Sequence, residues 1–194
     1  RSIYANIKNS IRFLLAGNTA GILTVLYASL SALPVPFAPV HLLFINLLTD
    51  SLPAIAIGLE PQDRSLMNED PRNSEEGLLN KPFLAKLLIE GMLLAVVTII
   101  AFTIGLQTGD PLVASTMAFA TLCLTRLFHS FNARSKHSIF TIGLVSNLYV
   151  VGSVVLGIIL LHFVLLVEPL KGIFEIASLT NTQMYTVYLL AILP

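Results

Sequence analysis

Six apolar stretches, separated by short polar connections, organise this chain: residues 11–31, 40–58, 83–106, 113–131, 144–167 and 182–194. A helix needs about 20 apolar residues to cross roughly 30 Å of hydrocarbon, so the pattern predicts five membrane-spanning helices and a truncated sixth. Turn chemistry falls between them, at Pro34, Pro36 and Pro39, at Gly109-Asp110-Pro111 and at Glu168-Pro169. The predicted fold is all-α, a polytopic helical bundle forming one transmembrane domain over 1–194. A first hairpin covers 11–58, a loop 59–82, and later hairpins 83–131 and 144–194.

Composition agrees. Of 194 residues 55% are hydrophobic and only 11% charged, against roughly 25% charged in a soluble domain, so the lipid bilayer is the expected solvent. Lys+Arg and Asp+Glu both number 11, and a chain without net charge lacks the footprint for a phosphate backbone, which excludes nucleic acid as a partner. The single cysteine, Cys123, excludes a disulfide framework and cysteine-built metal sites. No cleavable signal opens the chain, and residues 188–194 are still apolar, so the sequence is expected to be a piece of a longer polypeptide.

Basic residues set the expected orientation. Arg1, Lys8 and Arg12 precede the first span, Arg64, Arg72 and Lys81 lie between the second and third, and Arg134 and Lys136 between the fourth and fifth. The opposite loops, 32–39, 107–112 and 168–181, hold only Lys171. The N-terminus and the basic loops are therefore expected in the cytoplasm. The connection 60–82 has mixed charges and prolines, and reads either as a solvated linker or as a docking loop for a cytoplasmic part.

Few ionisable residues lie well inside the spans: Asp50, Arg126 and, two turns into the third span, Glu90. A mid-bilayer charge costs at least ~2.5–3.5 kcal/mol, so each needs a role. Asp50 sits in Asn46-Leu-Leu-Thr49-Asp50-Ser51-Leu-Pro53. Helical spacing brings Asn46, Thr49 and Asp50 close to one face. Pro53 cannot donate to the carbonyl of residue 49, and its ring disrupts that turn, so a helix break with free carbonyl oxygens is expected there. Amide, hydroxyl, carboxylate and carbonyl oxygens are hard ligands that suit Ca²⁺, Mg²⁺ or Mn²⁺; the plainer reading is an Asp paired with a neighbour.

In the first span, Gly17 and Gly21 form a small-residue face that lets another helix approach. Asn18 beside it reads as an interhelical hydrogen-bonding residue or as a contributor to the same site. Arg126, near the end of its helix, has two readings: snorkelling to the headgroups, or a fixed cation facing Asp50, since a guanidinium keeps its proton. Glu90 is one turn from Lys86 and reads as a local pair. His41, His129, His137 and His162 lack metal-ligand spacing and read as structural. The P-loop, nucleophile-elbow and dinucleotide patterns are absent from the sequence.

The segment Asn46-Leu-Leu-Thr-Asp50-Ser-Leu-Pro53-Ala-Ile-Ala-Ile-Gly58-Leu-Glu60-Pro61 resembles the sixth membrane helix of P-type calcium-transporting ATPases, N-L-x-T-D-G-L-P-A-x-A-x-G, with Ser51 in place of the glycine. Ile3-Tyr-Ala-Asn-Ile-Lys8 and Ile11-Arg-Phe-Leu14 resemble the stalk and start of the fifth, and the later hairpins match the family in number and order. The resemblance implies the C-terminal transmembrane half of a calcium pump, helices five to ten. Its partners would be the earlier membrane helices and cytoplasmic domains, where ATP and Mg²⁺ act in phosphorylation.

By position, Asn46 and Asp50 match ion ligands of the sixth helix, Asn18 the amide of the fifth, and Thr49 a neighbouring position of the other ion site. Asn46 stands where sodium–potassium pumps carry an aspartate. Gly21 and Arg126 stand where pumps that carry two calcium ions have glutamates. The resemblance is therefore to bacterial single-site calcium pumps of the plasma membrane, with one transported Ca²⁺ held by Asn46, Asp50 and a glutamate from an earlier helix. Arg126 would be an internal counter-charge in place of the second ion. A manganese or mixed calcium/manganese pump and a secondary cation transporter stay open as alternatives, as does a structural scaffold.

Overall fold

The computed structural model describes residues 2–61, 79–135 and 143–194. The expectations for the middle of the 60–82 connection, and for Lys136 and His137, lie outside the described residues. Helix α1 (Ser2–Leu30) is followed by α2 (Pro39–Phe44), a π-helical turn (Ile45–Asp50) and α3 (Ser51–Gly58), which together make one span. Then come α4 (Lys81–Leu106), α5 (Pro111–Ala133), a 3₁₀ turn (Leu144–Ser146), α6 (Leu148–Leu166), α7 (Glu168–Ile173) and α8 (Asn181–Ile192). Every regular element among the described residues is helical, and five spans are long and apolar enough to cross a bilayer. The chain is an integral membrane protein.

Two elements differ from expectation. Helix α1 begins nine residues before the apolar run, at Ser2, and its 29 residues extend about 43 Å at 1.5 Å each, longer than the hydrocarbon is thick. Residues 168–181, expected as a loop, contain α7, which starts with Pro169 in its first turn and is stapled by Lys171 Nζ on Glu168 Oε1 at 2.5 Å.

Helix α5 is the centre of the bundle. It packs against α1, α3, α4, α6, α8 and the π turn, and from Ala114 to Leu127 every side chain is buried. Small and hydroxylated residues such as Ala114, Ser115, Ala118, Ala120 and Thr121 let neighbours approach closely. The outer helices carry large apolar residues exposed on the surface of the bundle, among them Leu88, Ile89 and Met92 of α4 and Val155 and Ile159 of α6. A side chain at Gly105 would collide with the backbone of Ala114, which fixes the closest α4–α5 crossing.

One end of the bundle is laced by polar side chains. Asn9 Nδ2 donates to Arg134 O at 2.9 Å and Arg12 Nη2 to Ala133 O at 3.0 Å, so α1 satisfies carbonyls at the end of α5 that the helix itself leaves open. Ser10 Oγ donates to Ala54 O at 2.9 Å and Asn6 Nδ2 to Glu60 O at 2.8 Å, which ties α1 to α3 as well. Asn147 Nδ2 donates to Glu60 Oε2 at 2.6 Å and to Ala56 O at 3.1 Å, while its Oδ1 accepts from Tyr149 and Val150 N–H and caps α6. The buried Arg134 guanidinium donates to Gly143 O and lies 3.9 Å from Glu60 Oε1. Glu60, which counts in the sequence only as one charge of a mixed connection, is therefore a part-buried tie point. Asn147→Ala removes a cap and two interhelical bonds together and is expected to cost about 2 kcal/mol, read as a lower thermal midpoint of the detergent-solubilised full-length protein.

At the opposite end His41 is buried and stacked on Phe119 at 4.4 Å. Its Nδ1 accepts from Ala38 N–H at 3.1 Å and its Nε2 bonds to Phe174 O at 2.7 Å. The neutral tautomer protonated on Nε2 satisfies both bonds, so this histidine pins the connection after α7 to the second span.

Candidate functional site

Pro53 lies in the first turn of α3, and the distortion that its missing N–H and its ring impose takes the form of the π-helical turn Ile45–Asp50 immediately before it. The carbonyls loosened there do not all remain free. Thr49 Oγ1 donates to Ile45 O at 3.0 Å, and Ser51 Oγ donates to Asn46 O at 2.8 Å. The hydroxyl of Ser51, the departure from the family glycine, thus satisfies a carbonyl of the widened turn.

The turn ends on Asp50, whose side chain is 3% exposed and faces α5. Its Oδ2 lies 2.5 Å from Nη2 of Arg126, itself 2% exposed. Arg126 therefore points into the bundle rather than to its rim, and the two charges of opposite sign share one dry compartment. An uncompensated charge there would be strongly unfavourable, and removing one partner of such a pair typically costs about 3–5 kcal/mol. The pairing leaves one carboxylate oxygen over: Asp50 Oδ1 is buried and has no hydrogen-bond partner. Buried carboxylate oxygens are normally satisfied, so an orphaned one marks a place for a cation or a donor.

The four candidate ligands divide into two pairs. Thr49 and Asp50 are buried against the bundle, whereas Asn46 on the π turn and Asn18 on α1 are exposed. Among the described residues no three of His, Cys, Asp and Glu converge as a metal-holding group. Asp50 is thus an acid paired with Arg126 and outside any described cluster of metal-ligating side chains.

Two parts of the arrangement are not apparent from residue spacing. The space in which a side chain at Gly17 would begin is filled by the guanidinium of Arg126, whereas nothing lies within 4 Å of a side-chain start at Gly21. Glu90, expected to pair with Lys86, is 3.9 Å from that residue but 3.2 Å from Arg12 Nε and 3.6 Å from His129 Nε2. It thus joins α1, α4 and α5 one turn beyond Arg126. The only advance signal for this was that Arg12 and His129 are polar residues near the ends of apolar spans.

Residues 34–194 match the family described as "Cation transporting ATPase, C-terminus". The chain is 39% identical over 214 residues to Calcium-transporting ATPase 1 of Bacillus cereus, an alignment covering 100% of this chain and 24% of that protein. It is 40% identical over 182 residues to the Calcium-transporting ATPase of Bacillus subtilis, covering 93% and 20%. To the human Calcium-transporting ATPase type 2C member 1 it is 30% identical over 188 residues, covering 93% and 20%. The chain spans about a quarter or less of the length of these curated relatives. It belongs to the cation-transporting P-type ATPases and corresponds to their C-terminal membrane part.

Proposed function

We propose that this chain is the membrane half of an ATP-driven pump that moves one Ca²⁺ per cycle, with Arg126 as a permanent counter-charge in the space of a second ion. The observation that carries the reading is the divided carboxylate of Asp50, one oxygen on Arg126 and the other buried without a partner. Calcium takes about six to eight oxygen ligands. Asp50 Oδ1 and the side-chain oxygen of Asn46 would supply part of one such shell, and the single acid of this chain beside Arg126 leaves no second carboxylate for another ion.

Asn18 and Asn46 lie on the exposed side of the bundle, where helices from elsewhere in the polypeptide would bring the remaining ligands, among them a carboxylate. That carboxylate is also required by charge. Asp50 and Arg126 together are neutral, so a dication needs a further anion before its hydration shell can be exchanged for protein oxygens. Phosphorylation by ATP with Mg²⁺, and the motions that alternate access, belong on this reading to cytoplasmic domains of the same protein. The end of the bundle holding Arg12, Lys86 and Arg134 would face the cytoplasm of a bacterial plasma membrane.

Counting calcium bound per phosphorylation site in the full-length protein tests the proposal. The expected ratio is one. A ratio of two would overturn the counter-charge reading, and phosphorylation driven equally by manganese would move the selectivity to the mixed calcium/manganese class.

A further inference from the structure

We infer that Gly17 is the positioning residue that seats Arg126 on Asp50, and so keeps the second carboxylate oxygen open for the ion. The inference rests on the pump reading for its functional consequence, while the seat itself is a matter of packing.

Gly17 is buried on α1, and a side chain there would coincide with Cζ, Nε and Nη2 of Arg126. The guanidinium is therefore not merely near α1 but occupies the volume that the missing Cβ leaves. Arg126 Nε is buried without a hydrogen-bond partner, so no polar bond holds that edge of the group in place, and shape does so instead. Nη2, one of the atoms that fill the space at Gly17, is also the atom that meets Asp50 Oδ2, at 2.5 Å. The guanidinium is thus held between contact with α1 at Gly17 and its ion pair with Asp50.

When a methyl is added at residue 17, something must move. The atoms in the way are the far end of a long side chain rather than backbone, so the guanidinium yields before α1 separates from α5. The carboxylate limits its travel forward, and the unpartnered Oδ1 is the neighbouring acceptor that would capture a displaced N–H. The displaced cation then competes with calcium for the oxygen that the wild-type arrangement leaves free. Gly17 in this way determines which carboxylate oxygen faces the ion, without touching the ion itself.

The test is a double-mutant cycle of Gly17→Ala and Arg126→Ala in the full-length protein, read both as calcium dependence of phosphorylation and as thermal midpoint. With Arg126 present, Gly17→Ala is expected to raise half-saturating calcium by about tenfold, a usual coupling for groups in contact, with the maximal phosphorylation level retained. With Arg126→Ala already made, the same change is expected to shift it less than about twofold. If Arg126→Ala does not fold, Arg126→Gln, whose shorter amide ends before the seat, replaces it in the cycle. Equal shifts in both backgrounds, or none in either, would overturn the seat. If the unsubstituted protein shows no calcium-dependent phosphorylation, the pump reading fails on its own. The thermal cycle then still decides the packing claim, with a fall in midpoint for Gly17→Ala that is lost in the Arg126 variant expected, and additivity overturning it.

Discussion

Asp50→Asn in the full-length protein should raise the calcium needed for phosphorylation by at least about a hundredfold. Disturbing groups that only orient a metal's ligands already costs about 10- to 100-fold in affinity, and here the acid paired with Arg126 is neutralised. The amide is nearly isosteric, so packing is conserved and the loss is one of charge. The same change also strands Arg126, whose guanidinium then lies buried without an anion, a situation that costs about 3–5 kcal/mol. The two effects separate in the double variant Asp50→Asn, Arg126→Gln. Pairing one amide with another removes the stranded charge and should return most of the stability but none of the calcium dependence. Wild-type calcium dependence in the single variant would show that Asp50 is a structural partner of Arg126 and no more.

Arg126→Glu should have the second large effect, of opposite character. Two carboxylates would face each other in a compartment that excludes water, so the protein without calcium is expected to lose about 3–5 kcal/mol of stability. Calcium should then become a structural requirement: bound ligand at about a hundred times its dissociation constant restores about 2.7 kcal/mol. Thermal midpoints measured with chelator and with saturating calcium should differ far more for the variant than for the wild type. Calcium bound per phosphorylation site should rise from one toward two. Equal destabilisation with and without calcium, with the ratio unchanged, would mean that the place occupied by Arg126 has no capacity for a second ion.

The spans were legible because length and apolarity alone decide whether a segment can lie in lipid, and that information is local. The start of α1 was not, since residues 2–10 mix polar with apolar positions and contain no continuous apolar run. Pro53 marked where the second span departs from a regular helix but not the form, because a proline's lost hydrogen bond can be absorbed by a break or by a wider turn. Residue spacing brings Asn46, Thr49 and Asp50 to one helical face, yet the structure buries the last two and exposes the first. Position along one helix says nothing of where the neighbouring helices stand.

The same limit explains the ion pairs. Spacing reveals partners on the same helix, so Glu90 reads as a partner of Lys86, whereas Arg12 and His129 reach it from other helices at shorter range. The two readings of Arg126 could not be separated from sequence, because snorkelling and an inward guanidinium demand the same residue at the same place. Gly17 was legible as a point of close approach, though not that the nearest group to approach it is the guanidinium of Arg126.

The side chains of α1 also bear on how force would travel. Asn9 and Arg12 grip the end of α5, while Asn6 and Ser10 hold the segment that begins just after Asp50. One long rod is thus pinned to the carriers of both the acid and the base. On the proposed pump reading, a pull along that rod would bear on both carriers at once rather than on either alone.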